Sequence, residues 1–248
     1  MNKEKFWSMI DDARNSGGGW QGMIDPLCAA LAELPPMEIV HWQGIFDEYH
    51  YRANKGQVVS AAVYINGGIS DDGFIDFRSW LVAQGKDIYM KTLAEPDSLA
   101  DTKAIRAFAA EANASNYVPE RGYQNKPQFE AINYASIIAF EQKFGMESDF
   151  YNLLDANPIS DLEMEIIAKE IKYAKKIDVM PNPDTPLLEA FAELEKRFPK
   201  LTAVLDPDSA ERKPSVISKI KEKQKATEKP SKSKAPKKTS KRTNEKEM

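Results

Sequence analysis

QVVSAAVYINGGISDDGFIDFRSWLVAQG, residues 57–85, decides the fold class. Its first ten residues admit two readings: a buried strand of valine and isoleucine, or a helix ended by the pair Gly67-Gly68. The length of the run and the terminal glycines favour the helix, because glycine enters a left-handed cap without a Cβ penalty. Ser70 is then a good N-cap for a second helix. Asp71 and Asp72 fall in its first turn, where negative charge complements the helix dipole. At 100° per residue Phe74, Phe77 and Leu81 form an apolar face flanked by Trp80, Ile75 and Val82. Asp72, Asp76 and Ser79 lie opposite, expected in water.

Working outward, the same periodicity recurs. Helices are predicted from FWSMIDDA after Asn2, from GWQGMIDPLCAALAEL with Pro26 in a first turn, and from MEIVHWQGIFDEYHYRA after Pro35-Pro36. Others are predicted over KDIYMKTLA and near 102–113, 127–144, 161–177 and 186–197. No alternating run with a hairpin turn calls for a sheet. The polar stretch 113–128 reads as a long ordered loop, and 177–186, with three prolines, as an extended connector. The expected architecture is one mostly α-helical domain, residues 1–205, followed by a disordered basic tail, 206–248.

Charge supports that division. Residues 212–248 carry 14 Lys and Arg against 4 Asp and Glu, which leaves 20 and 34 for the rest. A net charge of -4 therefore hides an acidic body and a basic tail. Lys229, Lys232, Lys234, Lys237, Lys238, Lys241 and Arg242 alternate with small residues and proline, the pattern of an arm that tracks a polyanion. A short helix around 216–225 is the one local order expected there. Hydrophobic residues make up 42%, enough for a real core. The single cysteine, Cys28, excludes an intrachain disulfide and a thiolate cluster. With no signal peptide or membrane span, the expectation is a soluble, cytoplasmic, bacterial-type protein.

Arg78 is the residue the helix junction does not explain. It projects inside the apolar arc, where a guanidinium needs a partner. Asp71 is on the same flank but about 10 Å away along the axis, so another helix is the better donor. Arg78, Asp71, Asp72, Asp11, Asp47 and Glu48 are therefore the candidate pocket, read either as helix-tying charge pairs or as an Arg/Asp-lined site. His41 and His50 are nine residues apart on one helix, on opposite faces, so they cannot share a metal. No metal site and no cofactor are expected. Cys28 reads as core filler, His50 as core edge, His41 as solvated, and Trp20, after three glycines, as a groove cap.

KFWSMIDDAR near the start and INGGISDDGFIDFRSWLVAQGKDIYMKTLAEPDSLAD further on resemble the bacterial domain of unknown function 4240 family. The similarity is densest over residues 1–101 and looser to about 201, where FPKL resembles the family's closing turn. Gly67-Gly68, Ser70-Asp71-Asp72, Phe74, Phe77-Arg78, Trp80-Leu81 and Gln84-Gly85 carry it. Members of that family often have cysteine after the glycine pair; Ile69 stands there in this chain, so that position offers no nucleophile. The resemblance implies a mostly helical domain and no established activity. Three functions follow from the sequence: a binding protein whose body engages an unidentified protein partner and whose tail touches nucleic acid; an enzyme or small-ligand receptor with an Arg/Asp-lined pocket; or an acidic immunity-type inhibitor.

Overall fold

The computed structural model describes residues 1–114, 124–175 and 186–207. Among the described residues there are twelve α-helices, three short 3₁₀ helices and no strand. The first six helices are α1 (Lys3–Ser16), α2 (Ile24–Ala32), α3 (Pro36–Arg52), α4 (Gly56–Asn66), α5 (Asp71–Ala83) and α6 (Lys86–Ala94). They are followed by α7 (Lys103–Ala114), α8 (Ala135–Phe144), α9 (Glu147–Ala156), α10 (Asp161–Glu170), α11 (Leu187–Arg197) and α12 (Pro199–Leu205). The 3₁₀ turns span Trp20–Gly22, Pro96–Asp101 and Glu130–Tyr134. No helix among the described residues is long and apolar enough to cross a membrane. The basic tail from residue 208, and the centres of the predicted loop and connector, lie outside the described residues.

Local rules place most helix ends. Asn2 caps α1 by accepting from the Lys5 amide, and Ser70 caps α5 by accepting from the Gly73 amide. Gly67 ends α4 with φ 66 and ψ 20, the left-handed cap that a β-carbon would strain. The run VVSAAVYI is thus helical.

The core is an aromatic hub between α1, α3 and α6. Trp7 stands 4.7 Å from Tyr49 and 5.5 Å from Tyr89, and Phe6 lies 5.2 Å from Trp42 between ring centroids. Such pairs add about 0.5–1.5 kcal/mol each beyond the area they bury. Phe77, Trp80 and Leu81 extend the hub into α5, and Cys28 is buried as core filler. A smaller cluster, Ile39, Val40, Ile137, Phe140 and Phe150, joins α3 to α8 and α9.

Three features differ from the sequence reading. Ser79 is fully buried: its hydroxyl lies 3.0 Å from the Ile75 carbonyl and 2.6 Å from Asn133 Oδ1. The cause is remote, because residues 128–134 cross that side of α5, and the Phe129 amide donates to the Asp76 carbonyl at 3.0 Å. The helix expected over 161–177 stops at Glu170. Residues 171–175 leave it, and the Ala174 amide donates to Leu93 O, a carbonyl left over at the end of α6, at 2.7 Å. The pattern near 127–144 becomes α-helical only at Ala135, after the 3₁₀ turn Glu130–Tyr134. In addition, α9 and α12 were not foreseen.

The end of α3 receives three side-chain donors from other parts of the chain. A helix leaves its last carbonyls without intrahelical partners; here the Ala53 and Asn54 amides reach Tyr49 O and Tyr51 O, and side chains add to the capping. Tyr89 donates to Tyr49 O at 2.5 Å, Arg78 Nη1 to His50 O at 3.2 Å, and Tyr173 to Arg52 O at 3.4 Å. Arg78 also lies over the Phe74 ring at 5.0 Å. A cation beside a helix C-terminus is stabilised by the dipole. Replacing Arg78 by methionine keeps the stem and strips the donor, so urea unfolding should show a loss of about 1–3 kcal/mol. Arg78→Lys should recover only part, because an ammonium lacks the planar surface that rests on Phe74.

Candidate functional site

The six residues proposed as a pocket are not gathered in one place. Asp71 and Asp72 are exposed at the start of α5. Arg78 points to the end of α3, and among the described residues no carboxylate lies within ion-pair distance of it. Burial pulls its pKa below the usual value, opposed by Tyr89. Glu48 is buried and pairs with Arg52 at 2.6 Å. Asp47 accepts from Gln43 Nε2 at 2.8 Å. Its surface still meets water, yet crowding by protein raises its pKa to about 6 against that hydrogen bond. His50 sits at the core edge as expected, 3.0 Å from Ile75 O, and burial lowers its pKa to about 4. His41, expected in water, is half-buried and 2.9 Å from Glu163, because α10 packs on α3.

Asp11 alone opens onto a cleft. That cleft has two lobes, of about 750 and 640 Å³, which share Arg14, Gln84 and Ile88. The first lobe adds Trp20, Lys91, Asp101, Thr102 and Lys103. The second adds Glu4, Asp11, Gly85, Lys86 and Asp87. Arg14, in the last turn of α1, stands between them and donates through Nη2 to Asp11 Oδ1 at 2.7 Å. Gly85, at φ +88, makes the junction: a β-carbon there would lie 2.5 Å from Asp11 Oδ1 and 2.7 Å from Arg14 Nη1. Trp20 lines the first lobe as foreseen, almost buried, with Phe129 edge-on at 5.3 Å.

The electrostatics of the two lobes differ. In the first, Arg14, Lys91 and Lys103 face Asp101, which Lys91 engages at 3.0 Å. In the second, Glu4, Asp11 and Asp87 outnumber Arg14 and Lys86, and Lys86 is engaged by Glu170 at 3.1 Å. Burial raises the Asp11 pKa, with Asp87 and Asp12 adding repulsion and Arg14 opposing. The cleft can therefore take charged and hydrogen-bonding groups at both ends, with a carboxyl that gains a proton more readily than usual beside a guanidinium. Among the described residues no group of three or more His, Cys, Asp or Glu is placed to hold a metal ion.

Arg14, Gln84 and Gly85 were missed as site residues. The signal was present: Arg14 closes the first family-like stretch, and Gln84-Gly85-Lys86-Asp87 lies within the second. What was not visible was that the two stretches meet.

Gly85→Ala should separate Arg14 from Asp11 and strain the turn, lowering the unfolding midpoint in urea. Asp47 gives a pH-dependent test. Its folded pKa, about 6, lies above the usual 3.8, so the folded state holds a proton that the unfolded chain has lost in that window. Stability contributed by protonated Asp47 is thus lost as pH rises from about 4 to 6. Asp47→Asn should match the parent near pH 4 and be more stable above pH 6, by an amount that its water contact reduces. Urea midpoints across pH 4–7 measure the gap.

The family model described as Protein of unknown function (DUF4240) matches residues 1–142, more than half of the chain and all of the residues that line both lobes. No curated protein and no solved structure matches. With the helical fold and the convergence of the two stretches on one cleft in place, the chain belongs to the domain of unknown function 4240 family.

Proposed function

We propose that this is a binding protein of two parts, in which the helical body recognises a protein partner at the cleft around Arg14 and the lysine-rich arm adds contact with nucleic acid. The observation that carries the reading is charge segregation. Residues 212–248 hold 14 of the 34 basic residues and only 4 of the 38 acidic ones. Lysine point charges give salt-sensitive affinity for phosphates and no readout of bases. The acidic body opposes phosphate binding on its own surface. A coil of about 37 residues spans roughly 35 Å, so an arm of this composition can follow a polyanion at some distance. The lone cysteine fits a cytoplasmic location.

The chemistry of the cleft supports a protein partner. Small-molecule pockets are mostly apolar with a few placed polar groups. Here charged and amide side chains line the second lobe and share the first with Trp20, Ile88 and small residues; one lobe is cationic and the other acidic, which suits a segment carrying charges of both signs. A second reading, an enzyme or small-ligand receptor, draws on one observation: Asp11, raised in pKa by burial, sits beside Arg14 and close to Asp87.

The arm is tested in the full chain by changing Lys229, Lys232, Lys234, Lys237, Lys238, Lys241 and Arg242 together to glutamine. Mobility shift with duplex DNA across salt concentrations should show binding by the parent. The slope of log K against log salt should be smaller in the variant, by up to about 6 if every charge meets a phosphate. Unchanged binding, or no binding by the parent at low salt, would end the nucleic-acid half of the proposal.

A further inference from the structure

A second surface of the body is built differently from the cleft. Ala131, Tyr134, Ile137, Ile138, Glu141 and Glu147 line a groove of about 360 Å³ where α8 meets the start of α9. Its floor is apolar and open: Tyr134 keeps 48% of its surface in water and Ile138 36%. Tyr134, Ile137, Ile138 and Glu141 follow the i, i+3, i+4, i+7 spacing of one helix face. The neighbouring Phe144 and Met146 are exposed as well. Phe144 packs tilted against Phe140, and Phe140 edge-on against Phe150, at 5.2 and 5.5 Å between ring centroids, so the surface apolar residues are anchored to the smaller core cluster. A rigid apolar strip left in water marks an interaction site.

Charge specifies the occupant. Glu130, Glu141, Glu147, Asp149 and Asp155 are exposed on or beside α8 and α9, and none forms an ion pair among the described residues. The single cation in that stretch, Lys143, is turned to the Leu34 carbonyl at 3.4 Å and the Phe144 ring at 5.5 Å. The groove therefore has an apolar floor and a rim of one sign. An extended acidic strand would be repelled, and a purely apolar one would leave the carboxylates unanswered. A helix with leucine-like residues on one face and lysine or arginine along its edges satisfies both.

We propose that the α8–α9 groove is a docking site for a basic amphipathic helix of a protein partner. This rests on the reading that the body binds protein, and it names the chemistry of one such partner. The groove shares no lining residue with the Arg14 cleft.

The test uses the full chain and a labelled peptide of about 18 leucine and lysine residues in an i, i+3, i+4 pattern. Two controls have the same length: a scrambled peptide of equal composition, and one with glutamate for lysine. Fluorescence anisotropy should show saturable binding of the first peptide alone. Ile138→Ser with Tyr134→Ser should weaken it about tenfold or more, and so should Glu141→Lys with Glu147→Lys. All four positions are at the surface, and circular dichroism checks that the variants fold.

Equal binding of the scrambled peptide would reduce the effect to nonspecific charge and overturn the proposal. So would groove variants that bind like the parent, or preference for the glutamate peptide. Sedimentation showing a parent dimer abolished by the same variants would assign the groove to a second copy instead. If the DNA shift persists while the peptide fails, this inference falls and the polyanion half of the proposed function stands.

Discussion

One carboxylate ties four helices together. Glu170, the last residue of α10, accepts from Lys3 of α1 at 2.7 Å, from Lys86 at the start of α6 at 3.1 Å, and from the Tyr49 hydroxyl of α3. Its position is unfavourable twice over: a carboxylate at a helix C-terminus opposes the dipole, and burial raises its pKa. The three donors outweigh both and hold the pKa below the usual glutamate value. Removal of any one partner would strand charge in a half-buried place, which is costlier than the net worth of the cluster. The same cluster fixes Lys86, and with it the wall of the second lobe. The rigidity of the cleft therefore depends on a residue 84 positions away.

This explains which parts of the fold were legible in sequence. Gly67, Ser70, Asp71 and Asp72 act through their own backbone neighbours, so their roles followed from spacing alone. Ser79 and the end of α10 did not. Periodicity assigns a polar face to water, but it says nothing about a segment more than fifty residues later that covers that face. Asn133 turned a solvent position into a buried hydrogen bond. The leftover Leu93 carbonyl likewise drew Ala174 out of helical geometry. Arg78 stands between these cases. Its need for a partner could be read, whereas the answer, a backbone carbonyl at the end of another helix, could not, because a search for opposite charge passes over carbonyls.

The charges in the cleft are hard to explain by stability. Arg14 with Asp11 and Lys91 with Asp101 are open to water, and such pairs add little to stability. Asp11 in addition suffers the repulsion of Asp12 and Asp87, which raises its pKa. Crowding like charges beside a glycine that admits no side chain costs the fold something and returns little to it. Perturbed acids in a concave place are a recurring mark of recognition or chemistry.

The two arginines then separate by what remains open on each. Both lie beside acids in the sequence, and Arg78 drew attention because it interrupts an apolar face. In space Arg78 is turned inward: Nη1 donates to His50 O, the guanidinium lies over Phe74, and its Nε is buried without a hydrogen-bond partner among the described residues. A guanidinium in that setting fixes a helix end. Arg14 carries a single carboxylate contact and borders both lobes, so most of its donors still point toward whatever enters. Arg14 borders both lobes of the cleft, whereas Arg78 is turned to a helix end, and that difference in setting, more than residue type or placement in the sequence, makes Arg14 the candidate for recognition.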